Sequence, residues 1–259
     1  MKLILPPARI TALIFMLFVT FSFSFAQNIA DRNRSIPNKS AMKEQAAKLL
    51  SEMGYWIPKT GPKTDNNLFY AVTAFQKVEG RKRTGILNKN ELEAIKNASR
   101  PAPIFIGEKH VEVDLNRQVL FLVDENDRVT FILPVSSGND KVYYDDGKKA
   151  VAHTPRGIFK ITRQIKGVRK APLGILYHPN YFLRGFAIHG SDSIPFYPAS
   201  HGCVRIPRYS AALFSDMVAV GLIVIIHEYD GKRQLPIDGL DDKKTAGSES
   251  SGGVPCTTG

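Results

Sequence analysis

The hydrophobic pattern of this chain changes its period at one short segment, ASRPAP at 98–103. Between 41 and 98, apolar residues recur at the three- and four-residue spacing of amphipathic helices. From 104 to 230 they alternate with polar residues, as in strands with one buried face, or form short apolar runs. Because proline interrupts both kinds of element, 98–103 is a predicted linker between a small helical region and a larger, mainly β region.

The first region predicts three short helices. Their apolar faces are formed by Met42, Ala46, Leu49 and Met53, then by Leu68, Val72 and Phe75, and finally by Leu92 and Ile95. Asn88 is the predicted N-cap of the third helix, with Glu91 three residues later. Helices this short form a small domain with a thin core.

The second region predicts several strands and one clear helix. RQVLFLVDENDRVTFILPVSSG at 117–138 contains two apolar runs separated by an acidic turn, which is typical of a hairpin. GIFKI, FAIHG and LIVIIHEY are further predicted strands, and YSAALFSDMVAVG is the predicted helix. The absence of strand-helix-strand alternation excludes a doubly wound sheet.

The N-terminal stretch MKLILPPARITALIFMLFVTFSFSFAQ has the pattern of a secretory signal peptide. Lys2 and Arg9 precede an apolar run, and Ser24-Phe25-Ala26 offers small residues for cleavage. An uncleaved membrane anchor is the alternative, but the apolar run is shorter than the ~20 residues that a spanning helix needs. We therefore expect residues 1–26 to be removed and the protein to be exported, to the periplasm or cell envelope.

The net charge of +11 limits the partners to be expected. An exported basic protein is not expected to bind nucleic acid, and its field favours anionic envelope polymers or substrates with carboxylates. Contact with a membrane is predicted only through the signal sequence during export.

The sequence contains two cysteines, Cys203 and Cys256. Cys256 lies in a Gly/Ser-rich stretch, and residues 231–259 are predicted to form a disordered tail, just as the polar residues 27–40 are predicted to be a spacer. Two cysteines can pair in an oxidising compartment. Because the tail lacks a packing pattern, we expect Cys203 to remain an unoxidised thiol, with a disulfide to Cys256 acting as a redox lock as the alternative.

Cys203 lies in SHGCVR at 200–205, which has the residues that thiol catalysis needs. Such catalysis requires a thiolate, a proton acceptor and N–H donors for an oxyanion. Gly202 leaves the backbone open, so the N–H groups of Gly202 and Cys203 are candidate donors. His189, at a strand end 14 positions upstream, is the candidate base, because His201 is too near in sequence to aim at its neighbour.

Other interpretations of these residues stay open at this point. A histidine at a strand end and a buried cysteine are often purely structural. A zinc site would need a fourth ligand and CxxC spacing. Caspase-like proteases place His before Cys, but at a spacing of about 50 residues and with a signature that this chain lacks.

The longer motif FAIHGSDSIPFYPASHGCVRIP, with TPRGIFKI and LGILYHPNYF upstream, resembles the YkuD-type catalytic domain of the L,D-transpeptidases over about 104–227. In the helical region 41–98, LLSEMGY, AVTAFQKVEG and TGILNKNELEAI resemble the peptidoglycan-binding domain family. There GPKTDNNLF replaces the usual Asp-Gly-x-Phe-Gly, so glycan binding and a purely structural role both stay open.

The resemblance implies a β-sandwich enzyme with Cys203 as acylated nucleophile and His189 as general base. The carbonyl of Gly190 would orient the imidazole, and the backbone of His201, Gly202 and Cys203 would form the oxyanion pocket. It implies no metal or organic cofactor.

The implied substrates, as donor and acceptor, are peptidoglycan stem peptides. Transfer of the acyl group to an amine gives a transpeptidase, and transfer to water gives an L,D-carboxypeptidase. A non-catalytic wall-binding protein is the alternative from another class.

Four further residues are candidate substrate-binding or supporting groups. Arg205 suits a substrate carboxylate, with a salt bridge holding the turn as the alternative. Ser200 is expected to hydrogen-bond within its own turn. Tyr177 and Tyr181 are candidates for the wall of a donor groove, although aromatic residues beside a Pro-Asn turn often serve packing.

Overall fold

The computed structural model describes residues 39–58, 65–145, 147–228 and 235–236. The predicted signal peptide, most of the predicted spacer and Cys256 lie outside these ranges. The described residues from Gln45 onward belong to one compact unit. Within the described ranges, no helix combines the length and apolar character needed to cross a membrane.

The three predicted N-terminal helices are present as α1 (Lys39–Glu52), α2 (Asp65–Val78) and α3 (Lys89–Asn97). Asn88 caps α3 as predicted, since its side-chain oxygen accepts the backbone N–H of Glu91 at 2.9 Å. In α1 the fully buried residues are Ala46 and Leu50 rather than the predicted Leu49, so the buried face is rotated slightly from the expected one.

The β region contains short strands, a 3₁₀ turn at Arg208–Ser210 and the predicted helix, α4 (Ala211–Met217). The strands are β1 (Phe105–Ile106), β2 (His110–Asp114), β3 (Val119–Val123), β4 (Val129–Pro134), β5 (Val142–Asp145), β6 (Lys148–Val151), β7 (Gly157–Lys160), β8 (Arg163–Gln164), β9 (Val168–Ala171), β10 (Gly174–Leu183), β11 (Phe186–Ser191), β12 (Val204–Pro207), β13 (Ile223–His227) and β14 (Leu235–Pro236). The predicted hairpin is β3–β4.

Two five-stranded sheets face each other across the main core. The first has the order β4-β3-β2-β13-β7, and the second has the order β12-β11-β10-β8 with β9 also paired to β10. The core mixes Val113, Leu122 and Phe131 of the first sheet with Ile188 and Ile206 of the second. This arrangement confirms the predicted β-sandwich.

The helical segment (the described residues of 45–98) continues the first sheet at its β4 edge. The N–H of Ile132 donates to the carbonyl of Gly54 at 2.8 Å, and the N–H of Trp56 donates to the carbonyl of Ile132 at 3.2 Å. Helix α2 packs against β3 and β4. The segment thus covers an edge and a face of the sheet, and every residue of β2 and β3 is buried.

Candidate active site

The parallel pairing of β11 with β12 places the predicted catalytic residues on one face of the second sheet. Ile188 pairs with Val204, and His189 pairs with Arg205. Side chains alternate between the faces of a sheet, so Ile188 and Val204 point into the core while His189 and Arg205 share the opposite face. Cys203 lies directly before β12 and two positions before Arg205, so its side chain falls on the same face as those of His189 and Arg205.

The turn at residues 200–203, here called the Cys203 turn, is closed by the hydroxyl of Ser200. This hydroxyl donates to the carbonyl of Cys203 at 2.5 Å and accepts the N–H of Gly202 at 3.0 Å. Ser200 is buried. The predicted local role of Ser200 is therefore confirmed.

Gly202 is required in this turn by its backbone and its surroundings. Its φ is +136°, and a Cβ atom there would lie 2.6 Å from a ring carbon of Phe186 and 2.7 Å from the carbonyl oxygen of His153. Its own carbonyl accepts the hydroxyl of Thr154 at 2.8 Å. Because the N–H of Gly202 is bound to Ser200, the prediction that this N–H faces a substrate oxyanion is wrong for this structure.

The imidazole of His189 is buried and held by the backbone. Its Nδ1 lies 2.8 Å from the carbonyl oxygen of Gly190, as expected from the resemblance. A carbonyl accepts only, so Nδ1 carries the proton and Nε2 keeps its lone pair. Burial lowers the pKa of His189 to about 4, the bond to Gly190 opposes this shift, and the charge of Arg205 adds to it. The ring is therefore neutral at pH 7.

Cys203 is buried beneath this face. It is 2% exposed and packs with Tyr181 and Ala187, and the N–H of Ala187 lies 3.4 Å from its sulfur. The sulfur is disulfide-bonded in this structure, which corrects the expectation of an unoxidised thiol. Cys256, the other cysteine of the sequence, lies outside the described residues.

A pocket of about 170 Å³ opens over Cys203 and His189. Its lining combines the Cys203 turn, the two strand ends and the tip of the β9–β10 hairpin, namely Leu173, Gly174, Ile175, Leu176, His189, Ser191, Ser193, Ser200, His201, Cys203 and Arg205. Among the described residues, no group of three or more His, Cys, Asp or Glu side chains is placed to hold a metal ion.

Arg205 and His201 give the pocket its polar wall. Burial lowers the pKa of the half-buried Arg205, which means that its charge is held in a partly desolvated place. Burial and the charge of Arg205 also lower the pKa of His201, whose ring packs edge-on against Tyr143 at 4.7 Å. A cation at this wall can attract a carboxylate.

The two candidate tyrosines do not line the pocket. Tyr181 is fully buried under Cys203, with the guanidinium of Arg163 4.2 Å from its ring centre, so its assignment to a substrate groove is wrong. The hydroxyl of Tyr177 donates to Asp192 at 3.1 Å, and its ring lies 4.1 Å from the guanidinium of Arg208. Both residues serve the packing that was the alternative.

Sequence reasoning missed the tip of the β9–β10 hairpin and the support under the Cys203 turn. The tip carries Ile175, which is half-exposed although it is apolar. The sequence did contain a signal for this tip, because the apolar LGIL at 173–176 closely follows the basic stretch at 163–170. The support is Ser137, whose carbonyl accepts the N–H groups of Ala199 and Ser200 at 2.9 and 2.8 Å.

Comparisons with known proteins agree with this geometry. A family model for the L,D-transpeptidase catalytic domain, named YkuD, matches residues 108–226. The crystal structure of the L,D-transpeptidase from Xylanimonas cellulosilytica is similar to this chain, with 36% identity and a TM-score of 0.67 over 73% of this chain and 94% of that one.

An L,D-transpeptidase structure from Stackebrandtia nassauensis aligns with 22% identity and a TM-score of 0.43 over 74% of this chain and 91% of that one. A search of curated proteins gave no match. The identity and coverage shared with the Xylanimonas protein are sufficient to show the family. The chain therefore belongs to the L,D-transpeptidase family, and its β-sandwich carries the YkuD-type catalytic domain.

Proposed function

We propose that this protein is a cysteine L,D-transpeptidase that acts on peptidoglycan stem peptides through an acyl-thioester on Cys203. The observation that carries the proposal is the neutral His189, held by Gly190 with Nε2 unprotonated, in the same pocket and on the same sheet face as Cys203. A thiol beside a neutral base is the arrangement that generates a thiolate nucleophile.

In the acylation step, Nε2 of His189 takes the proton of the reduced Cys203 thiol. The sulfur then attacks the carbonyl at the L-centre of the diamino acid at stem position three. The resulting oxyanion forms beside the backbone of His201 and Cys203. When this intermediate collapses, the imidazolium protonates the leaving amine, D-Ala departs and the thioester remains.

In the second step, an acceptor amine loses its proton to Nε2 of His189 and attacks the thioester, and the Cys203 thiolate leaves. The product is a new amide bond between two stems or between a stem and an envelope protein. If water replaces the amine, the same intermediate gives L,D-carboxypeptidase activity.

The charge distribution supports a substrate that carries carboxylates. Arg205 lines the pocket and is partly desolvated there, and a guanidinium can bind a carboxylate in bidentate fashion. The net charge of the whole chain is +11, and +9 remains when Lys2 and Arg9 are removed with residues 1–26, so the exported protein is still attracted to an anionic wall polymer. Export to the periplasm or envelope would bring the protein to that substrate.

The test is product analysis by mass spectrometry after the purified, reduced protein meets a disaccharide-tetrapeptide. Cys203→Ala, run in parallel, serves as the control. A cross-linked dimer made only by the unmutated protein would support transpeptidation, and tripeptide without dimer would indicate the carboxypeptidase. Unchanged substrate in both samples would count against the proposal and favour a wall-binding protein.

A further inference from the structure

A buried lysine links the helical segment to the β-sandwich. Lys77 of α2 is 1% exposed, and its Nζ donates to the carbonyls of Val135 at 2.8 Å and Gln118 at 3.1 Å. Burying an ammonium group costs several kcal/mol unless hydrogen bonds compensate for the lost water. Lys77 therefore fixes these two carbonyls, which lie directly before β3 and directly after β4.

Gln118 connects this anchor to the next layer. Its backbone has a φ of 60°, a strained conformation for a residue with a side chain. Its side-chain Nε2 donates to the hydroxyl of Ser137 at 2.8 Å, and its Oε1 accepts the N–H of Ser137 at 2.9 Å. Gln118 is buried, so its two hydrogen bonds to Ser137 are shielded from water.

Ser137 in turn holds the segment that leads into the Cys203 turn. Its carbonyl accepts the N–H groups of Ala199 and Ser200, and the hydroxyl of Ser200 closes the turn on Cys203. A continuous set of hydrogen bonds thus runs from the ammonium of Lys77 to the backbone of Cys203.

A second contact from the helical segment reaches the loop between His189 and the Cys203 turn. Arg83 donates to the carbonyl of Phe196 at 2.9 Å and to the carbonyl of Asn116 at 3.3 Å. The rings of Phe69 and Phe196 lie 6.0 Å apart. The helical segment therefore supports the loop between His189 and the Cys203 turn through Arg83 and Phe69, and the turn itself through Lys77.

We propose that Lys77 is a positioning residue for the Cys203 turn, acting through Gln118 and Ser137, and that the helical segment is part of the catalytic apparatus. This role goes beyond the proposed function, but it rests on that function because kcat is measured for the proposed reaction, the release of D-Ala. The alternative is that Lys77 only stabilises the fold, in which case each folded molecule of a variant would react normally.

The test compares Lys77→Met with the unmutated full chain under reducing conditions. Methionine keeps the unbranched shape of the side chain and removes its donors. Lys48→Met, on the exposed surface of α1, is the matched control because the Lys48 side chain is 77% exposed. For each protein, the folded fraction, kcat and KM for D-Ala release and the rate of Cys203 alkylation by iodoacetamide against pH are measured.

We expect folded Lys77→Met to lose about tenfold in kcat with KM changed less than about twofold, which corresponds to ~1.4 kcal/mol of transition-state stabilisation. We also expect Cys203 in this variant to be alkylated at a rate that differs at least about threefold from the unmutated rate at the same pH, because the displaced turn changes the access and surroundings of the sulfur. The alkylation readout needs no substrate, so it still tests the positioning role if the unmutated protein does not release D-Ala.

Gln118→Met provides a second variant in case Lys77→Met does not fold. It removes the side-chain bonds to Ser137, the next step of the same path, while the bonds of Lys77 to the backbone stay in place. The same losses are expected for Gln118→Met. Folded molecules of either variant with the kcat and alkylation profile of the unmutated protein would overturn the proposal.

Discussion

The imidazole Nδ1 of His189 lies 2.8 Å from the carbonyl oxygen of Gly190, the next residue in the chain. A carbonyl fixes the tautomer without adding a negative charge that would favour the imidazolium. Together with burial, this leaves the pKa of His189 at about 4. The base is thus neutral and oriented before substrate arrives.

Gly190→Ala should disturb this arrangement. A Cβ atom at Gly190 would lie 2.6 Å from Cβ of Ala211, 3.0 Å from Cβ of Tyr177 and 3.1 Å from Cα of Arg208. Overpacking of this kind costs about 1–3 kcal/mol. We expect urea unfolding to show that loss and D-Ala release to fall at least tenfold, about 1.4 kcal/mol of barrier.

The double variant Gly190→Ala with Ala211→Gly is the control for this mechanism. It removes the nearest contact, although glycine costs roughly 1 kcal/mol in a helix. A partial recovery of activity in the double variant is expected. No recovery, with the single variant as stable as the unmutated protein, would contradict the steric explanation.

Ser200→Ala should loosen the Cys203 turn. It removes both the donor to the carbonyl of Cys203 and the acceptor for the N–H of Gly202, which leaves buried polar groups without these bonds. We expect kcat for D-Ala release to fall roughly tenfold or more, which is at least ~1.4 kcal/mol. Thr130→Ala, whose hydroxyl bonds to Leu122 away from the turn, is the matched control. Equal kcat values for the two variants would be the contrary result.

Glu112 should contribute to the free energy of unfolding in a way that is lost in acid. Burial alone would raise the pKa of Glu112, but the rings of His110 and His227, whose Nε2 atoms lie 3.6 and 3.4 Å from its carboxylate, and the N–H of Phe105 lower it to about 2. The unfolded chain takes up this proton near the ordinary value of 4.5, so the stabilisation is complete above about pH 4.5 and is lost as the pH falls towards 2.

The comparison of Glu112→Gln with the unmutated protein checks this. At pH 7 the variant should be less stable by about 1–3 kcal/mol because its hydrogen bonds are impaired. Between pH 4 and 2 its free energy of unfolding should fall less steeply. This window avoids the contribution of His189, whose lowered pKa affects stability between about 6.5 and 4. Parallel pH profiles from urea titrations would contradict the prediction.

The oxidised state of Cys203 predicts that turnover depends on reductant. A sulfur in a disulfide cannot attack a carbonyl, so the protein purified without reductant should release little D-Ala and should gain activity on reduction. Cys256→Ser should then be active without reductant if Cys256 is the partner. Equal activity of the unmutated protein before and after reduction would be the contrary finding.

Local sequence predicted the parts of the site that depend on local chemistry. The hydrogen bonds of Ser200 and the N-cap at Asn88 follow from residue types within a few positions of one another. The bond between His189 and the carbonyl of Gly190 was implied by the family resemblance. The alternation of apolar residues likewise predicted the strands, because one face of each sheet must be buried, whereas the sandwich was implied by the family resemblance.

The parts that were missed or wrong depend on tertiary packing. Lys77 occupies a position that sequence would assign to solvent, and only the docking of α2 on the sheet buries it. Tyr181 is an aromatic residue of the kind that often lines a substrate groove, but the strand register places it under Cys203. The N–H of Gly202 was expected to face substrate, and the competing hydroxyl of Ser200 captures it instead.

The most direct test of the acyl-thioester on Cys203 is the mass of the reduced protein, quenched in acid shortly after it is mixed with a disaccharide-tetrapeptide. We expect a gain equal to the disaccharide-tripeptide acyl group, located on the peptide that contains Cys203. Cys203→Ala should show no gain, and His189→Ala should gain the same mass much more slowly. A gain on a different residue, or release of D-Ala by Cys203→Ala at the unmutated rate, would contradict the acyl-thioester on Cys203.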